Sequence, residues 1–225
     1  TPDGWDSREL LEPSKGDGTR TFDDEGDVGV LRTWRAMCPE LQERWPEDEQ
    51  PEDWEGVEMQ NGRVVNLDLD EFGLTGAVPA EVGRLSALRV LVLSRNQLTS
   101  VPAEIWQLIS LTKLHLVGNQ LTSLPAEIGQ LTSLKWLSIY GNQLTSLPAE
   151  IGQLTSLEGL YISGNRLTSL PAEIGQLTSL RELYLARNQL TSVPAAVDEL
   201  RAAGCDVRTD VGVTVDYSGN GSSRR

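Results

Sequence analysis

Residues 120–134 read Gln-Leu-Thr-Ser-Leu-Pro-Ala-Glu-Ile-Gly-Gln-Leu-Thr-Ser-Leu, and residues 143–157 repeat that stretch without a single change. Both belong to a longer pattern, L-x-x-L-x-[LI]-x-x-N-x-L-T-S-[LV]-P-A, that recurs every 23 residues. Its five copies begin at Leu88, Leu111, Leu134, Leu157 and Leu180. A divergent copy, residues 64–87, precedes them and has Phe72 where the others have Asn. A fixed period of this length indicates a solenoid, in which each unit packs on its neighbours.

Each copy of the pattern predicts the same local structure. The apolar residues at positions four and six alternate with variable residues, which is the period of a strand. We expect the strands to stack in parallel, about 4.8 Å apart. The Asn should bond backbone groups in the following turn, and the Pro should start a short helical segment. The glycine inside that segment is expected to loosen it in three copies, at Gly129, Gly152 and Gly175.

The pattern resembles the leucine-rich repeat family over residues 64–202. The resemblance implies an α/β leucine-rich repeat solenoid with a curved parallel β-sheet on the concave face. It also implies short helical or 3₁₀ segments on the convex face and a small helical N-terminal cap.

The region before the repeats resembles, more loosely, the N-terminal cap of plant-type members. The match is carried by Asp53-Trp54-Glu55-Gly56-Val57 and by Gly73-Leu74-Thr75-Gly76. In that family two cysteines flank the Trp-x-Gly-Val element and form a disulfide. Residues such as Met59 stand there instead, so Trp45 and Trp54 are expected to hold the cap by packing.

We predict four regions along the chain. They are an acidic, flexible arm at 1–26, a cap at 27–63, six repeats (64–87, 88–110, 111–133, 134–156, 157–179 and 180–202), and a C-terminal cap and tail at 203–225. Helical spacing predicts that one apolar face of the first cap docks on the first repeat: Val30, Leu31, Trp34, Met37 and Leu41. An acidic arm that binds a basic partner is the alternative for this segment. In the C-terminal cap, valines between positions 207 and 215 predict one irregular strand.

The charge balance excludes several classes of partner. The chain has 19 Lys and Arg against 33 Asp and Glu, a net charge of −14, and residues 1–60 hold 18 of the acidic side chains. Such a chain is unsuited to neutralising nucleic-acid phosphates or to docking on anionic membranes. Residues 90–93 form its longest apolar run, far short of the about 20 residues that a membrane helix needs. We therefore predict no nucleic-acid binding and no membrane insertion.

The two cysteines, Cys38 and Cys205, lie in opposite caps. The stacked strands between them separate the caps by roughly 25 Å, which is beyond the reach of a disulfide. We predict two free thiols. With no signal peptide visible, they predict an intracellular location, and an extracellular one stays open if the N-terminus is processed.

Residue types needed for catalysis or metal binding are scarce. His115 is the single histidine, which excludes metal sites that need two. No phosphate-binding loop and no nucleophile elbow is present. We predict a protein that is not an enzyme and that holds no cofactor. Carboxylates on the first strand leave a cation site as the alternative to a solvated or partner-facing acidic edge (Asn66, Asp68, Asp70 and Glu71). Arg95 is expected beside Glu71.

The copies differ mainly at the exposed strand positions, whereas exposed Thr and Ser in the loops stay fixed. This contrast indicates diversification of the concave face, with gene conversion of the remainder as the alternative. Stacking the copies puts His115, Trp136, Tyr140, Tyr161 and Tyr184 beside one another. We predict a ligand-binding face formed by Trp136, Tyr140, Tyr161, Tyr184, His115, Lys113, Arg187, Asp68 and Asp70. The alternative is that the aromatic rings only cover sheet backbone.

These features predict a non-catalytic module that binds a protein or peptide on its concave face. The alternative is a regulatory or targeting segment of a larger signalling protein whose kinase, ligase or GTPase domain lies elsewhere. Lys113, Lys135 and Arg187 favour some acidic groups in the ligand, and the Asp68 end favours a basic one. We expect Lys135, Glu158 and Arg181 to form a cross-strand ion ladder.

Overall fold

The computed structural model describes residues 26–218. The arm predicted at 1–26 and the tail beyond Ser218 therefore fall almost wholly outside the described residues. The helices are α1 (Asp27–Met37), α2 (Pro39–Arg44) and α3 (Ala195–Ala202). The strands are β1 (Val57–Gln60), β2 (Arg63–Asp68), β3 (Thr75–Ala77), β4 (Val90–Val92), β5 (Gln97–Ser100), β6 (Lys113–His115), β7 (Trp136–Ser138), β8 (Gly159–Tyr161), β9 (Glu182–Tyr184), β10 (Ser192–Pro194), β11 (Asp206–Arg208) and β12 (Thr214–Asp216).

One eight-stranded sheet runs the length of the solenoid in the order β1-β2-β4-β6-β7-β8-β9-β11. All its neighbouring strands are parallel except β1, which pairs antiparallel with β2. Two smaller parallel pairs, β3 with β5 and β10 with β12, lie in the loops after the strands. The solenoid predicted from the repeat is confirmed.

The opposite face carries 3₁₀ segments, which begin directly after the repeated Pro. They span Ala80–Arg84, Ala103–Gln107, Ala126–Gln130, Ala149–Gln153 and Ala172–Gln176, with a further one at Pro51–Asp53. Contrary to the expectation that the glycines loosen these segments, the 3₁₀ turns continue through them. A Cβ on Gly152 would lie 2.5 Å from the carbonyl oxygen of Glu173, so glycine is required because successive segments pack closely.

The repeated asparagines join each repeat to the one before it. Asn142 Nδ2 donates to the Leu116 carbonyl oxygen at 2.8 Å, and its Oδ1 accepts from the Leu121 N–H at 3.0 Å. The same pair of contacts recurs for all five residues: Asn96, Asn119, Asn142, Asn165 and Asn188. The side chains thus satisfy backbone groups that the turn leaves without partners.

The N-terminal cap closes the apolar interior with aromatic rings, as predicted. Trp45 stacks on Trp54 with centroids 4.9 Å apart, and Trp34 meets Trp45 edge-on. Met37 does not join this interior, because α1 ends there and the buried position passes to Cys38. The side chain of Met37 is 65% exposed.

The C-terminal cap also differs from the single irregular strand that we predicted. Residues 206–216 form two strands, β11 and β12, which extend different sheets. Val211 lies in the turn between them and is fully exposed. Cys38 and Cys205 are buried and unpaired, so the prediction of two free thiols is confirmed.

Candidate functional site

The register of the sheet reproduces the predicted columns. Trp136 pairs with Gly159 and then Glu182, while Ser138 pairs with Tyr161 and then Tyr184. Because alternate residues of a strand point to the same side, these two columns both face the concave surface. The apolar residues between them, such as Leu160, point into the core and are fully buried.

Three of the predicted aromatic side chains form a continuous row across β7, β8 and β9. Trp136 and Tyr161 are nearly parallel, at an interplanar angle of 8° and a centroid distance of 6.2 Å. Tyr161 then meets Tyr184 edge-on at 5.1 Å. All three are partly exposed, so the aromatic row (Trp136, Tyr161 and Tyr184) presents polar-tipped apolar surface to solvent.

Gly159 determines where the first ring of the row lies. A Cβ at this position would be 2.5 Å from Cε3 of Trp136 and 3.0 Å from Cε2 of Tyr161. The indole therefore occupies the space that a side chain on β8 would fill. The predicted site omits Gly159, although a glycine among the large side chains of this variable column is a signal that a neighbouring ring occupies its space.

The tyrosine hydroxyls of the row are tied to carboxylates on the next strand. Tyr161 Oη donates to Glu182 Oε2 at 2.6 Å, and Tyr184 Oη donates to Asp206 Oδ2 at 3.3 Å. Burial, and then the bond to Glu182, raises the pKa of the Tyr161 hydroxyl well above its ordinary value. The hydroxyl therefore remains a donor at neutral pH.

Arg208, which we had not predicted, closes the C-terminal end of the row. Its guanidinium lies over the Tyr184 ring, 4.3 Å from the centroid, in cation–π geometry. The Nε and Nη2 groups also donate to Asp206 Oδ2 at 3.0 and 2.8 Å. Since β11 lies outside the repeat pattern, the pattern gave no signal for this residue.

Tyr140 and Arg187 lie together, away from the ring contacts of the row. Arg187 Nη1 donates to Tyr140 Oη at 3.4 Å, and Tyr140 is 40% exposed. Tyr140 packs beside Gly164, whose missing side chain leaves room for the ring. This pair adds a second polar–aromatic element to the same face.

His115 and Lys113 lie on β6, on the N-terminal side of the row. Ser138 stands between His115 and Tyr161 in the register. Burial, and then the charge of Lys113, lowers the pKa of His115, whereas Asp68 and Asp70 act in the opposite direction. His115 is thus neutral at pH 7 and can both donate and accept a hydrogen bond.

Charges at the acidic edge of the face are partly paired. Arg95 bonds both Asp70 and Glu71, with Nε 2.8 Å from Glu71 Oε1, as expected for the acidic edge. Asp68 accepts only the N–H of Asp70 among residues 26–218. No group of three or more metal-ligating side chains occurs in that described part.

The ion ladder is present beside the row as predicted. Lys135 Nζ lies 3.1 Å from Glu158 Oε1, and Arg181 Nε lies 3.9 Å from Glu158 Oε2. Exposed pairs of this kind contribute little to stability.

Family models match most of the solenoid. The model for the leucine-rich repeat region matches residues 113–204, and one for the leucine rich repeat matches residues 63–121. The chain is a leucine-rich repeat protein. One curated relative, the receptor-like serine/threonine-protein kinase FEI 2 of Arabidopsis thaliana, is 38% identical over 72 residues. That match covers 31% of this chain and 10% of the kinase.

Solved structures share the fold over more of the leucine-rich repeat chain. The HAESA receptor kinase ectodomain from Arabidopsis, in complex with a peptide hormone ligand, is 30% identical with a TM-score of 0.73. The match covers 84% of this chain and 33% of that one. A plant ice-binding protein is 27% identical with a TM-score of 0.70, and the match covers 87% of this chain and 64% of that one.

The predicted intracellular location is contradicted by these comparisons. FEI 2 is a receptor-like kinase and the HAESA match is a receptor ectodomain, so the comparisons point to an extracellular location. The free thiols misled the prediction because they are buried. Burial is the main cause that raises the pKa of both Cys38 and Cys205, and buried thiols of this kind are unreactive, so they do not distinguish the two compartments. Between Gly26 and Ser218, no helix has the length and apolar character to cross a membrane.

Proposed function

We propose that this protein is a non-catalytic recognition module whose concave face binds an extended peptide or protein segment. The observation that carries the proposal is the aromatic row, three contacting rings on adjacent strands that remain partly exposed. Aromatic side chains bury large areas at low entropic cost and dominate many interfaces. An exposed apolar cluster on a folded protein marks a contact surface.

Similarity to peptide-binding proteins supports the same proposal. The HAESA ectodomain is similar to this chain and binds a peptide hormone. This chain spans only a third of that ectodomain and a tenth of FEI 2. The similarity therefore supports peptide binding by a solenoid surface and not the activity of a whole receptor kinase. The alternative, a regulatory or targeting segment of a larger signalling protein, would use the same surface, so the same test applies to it.

The test is selection from a random nonapeptide phage library on the immobilised full-length chain. Seven parallel strands extend over roughly 29 Å, which matches about nine residues of extended peptide. We expect Trp136→Ala to weaken a selected peptide by about 30-fold, the effect of losing an interface hot spot. Thr145→Ala, an exposed change in a loop, is the matched control and should leave the affinity unchanged.

Two outcomes would overturn the proposal. The first is a library that yields no peptide. The second is a set of peptides that bind Trp136→Ala as well as the wild type, because recognition would then lie elsewhere. Circular dichroism of both variants establishes that they are folded.

The fixed loop threonines favour a second candidate function. Thr99, Thr122, Thr145, Thr168 and Thr191 are exposed at equivalent positions of five repeats, where drift would have varied them. They form a regular array of methyl and hydroxyl groups, and the chain is similar to a plant ice-binding protein. Ice growth in the presence of the wild type and of Thr122→Lys/Thr145→Lys tests this candidate. Equal ice growth with both proteins and with buffer would dismiss it.

A further inference from the structure

The C-terminal end of the aromatic row contains a tyrosine, a carboxylate and a cation in one unit. Tyr184 Oη donates to Asp206, and Arg208 lies over the ring while donating to the same carboxylate. The unit is complete, since the negative charge is compensated and the ring face is covered. It shows how this surface holds a guanidinium.

The same tyrosine and carboxylate occur one strand earlier without the cation. Tyr161 Oη donates to Glu182, and the register relates Glu182 to Asp206 as it relates Tyr161 to Tyr184. The strand position that Arg208 holds on β11 is held by Tyr184 on β9.

Glu182 is consequently left without an ion pair among residues 26–218. Arg208 acts on it only through longer-range electrostatics, because its Nε and Nη2 groups are bonded to Asp206. Glu182 is half-buried, and Gly159 separates it from Trp136 in the column. Beside the aromatic rings, the half-buried carboxylate of Glu182 therefore has no paired cation to offset its desolvation.

We infer that Glu182 receives an arginine or lysine side chain of the bound peptide, placed against the aromatic row. This inference rests on the proposed function and names the chemistry of its ligand. A cation there gains a charge-assisted hydrogen bond and the attraction of the ring faces. It differs from the expectation of acidic ligand groups that Lys113, Lys135 and Arg187 suggest, and the experiment below decides between the two. Lys135 is already paired with Glu158.

The experiment uses the nonapeptides selected on the full-length wild-type chain. We expect one position to be enriched in Arg or Lys, and Glu182→Gln to weaken such a peptide by about tenfold. The glutamine keeps an oxygen that accepts from Tyr161, so the variant retains the local structure. Glu127→Gln, an exposed residue of the opposite face, makes the same charge change and should have no effect.

The ligand side provides a test that leaves the protein unchanged. Replacing the basic residue of the peptide by Gln should weaken wild-type binding by the same factor, and should weaken Glu182→Gln binding no further. Peptides that require Trp136, have no basic position and bind Glu182→Gln normally would overturn this inference while the proposed function stands. If binding does not depend on Trp136, both fail.

Discussion

The two ends of the solenoid are closed by different means. At the N-terminal end, Trp45 is fully buried and lies between two other tryptophans. At the C-terminal end, a short helix and two three-residue strands cover the last repeat, and Val211 and Tyr217 remain exposed. Both ends face the same requirement, since no repeat can bury its own apolar face. The difference indicates that stability is concentrated at the N-terminal end and that local opening begins at the other.

The largest effect on stability is expected from removing a buried tryptophan of the N-terminal cap. Trp45→Ala removes a buried ring and its hydrogen bond to the Glu55 carbonyl oxygen, and should lower the free energy of unfolding by about 3–5 kcal/mol. Urea denaturation followed by circular dichroism measures the change. Met37→Ala is the control in the same cap, where an exposed side chain should matter by less than about 0.5 kcal/mol. Similar losses for both variants would contradict the comparison.

A buried carboxylate gives the next largest effect. Asp27 is 3% exposed and accepts from the Val64 N–H at 2.8 Å and from Arg63 Nε at 3.0 Å. Asp27→Ala leaves a buried N–H without a partner and should cost about 2 kcal/mol in the same measurement. Arg63→Ala should cost less, because its side chain is 45% exposed and water can replace part of the contact. The reverse order would show that the ion pair, and not the N–H contact, anchors α1.

The reaction rates of the two free thiols report how readily each cap opens. Both have raised pKa values, caused mainly by burial, so little thiolate is present at pH 8 in the closed protein. Disulfide exchange with a coloured reagent should therefore require local opening, and Cys205 should react about tenfold faster than Cys38, a difference of about 1.4 kcal/mol. Single Cys38→Ser and Cys205→Ser variants assign the rates. Faster reaction of Cys38 would place the weaker end at the N-terminus.

The smallest effect is expected at β11, the last strand of the eight-stranded sheet. Arg208→Ala removes an exposed ion pair and a cation–π contact, and should leave the free energy of unfolding almost unchanged, because solvent screens both contacts. The Asp206 carboxylate then loses its cation, while Tyr184 keeps its place in the register. A loss as large as that of Trp45→Ala would mean that the C-terminal cap depends on this one side chain.

Sequence reasoning succeeded where the repeat itself supplied the answer. The period fixes the register, so the repeat pattern alone puts Trp136, Tyr161 and Tyr184 side by side, as the sheet does. It failed where a position leaves the pattern. Met37 is exposed because α1 ends at this residue, and Arg208 lies on a strand outside the repeat pattern. The role of Gly159 depends on where the indole of Trp136 lies, and this follows from contacts and not from spacing.

Each repeated asparagine bonds backbone groups of the repeat before it, so a whole repeat can be removed or added without breaking this set of contacts. Deleting one whole period, residues 134–156, would bring Asn165 to the Leu116 and Leu121 groups that Asn142 now bonds. The cross-section would be unchanged, while the concave face would shorten by about 4.8 Å and lose Trp136 and Tyr140. Unequal recombination between the regions that encode the identical segments 120–134 and 143–157 would produce this deletion or the matching duplication. The concave face would thus change in length by one strand spacing at a time, and the core of each repeat would stay the same.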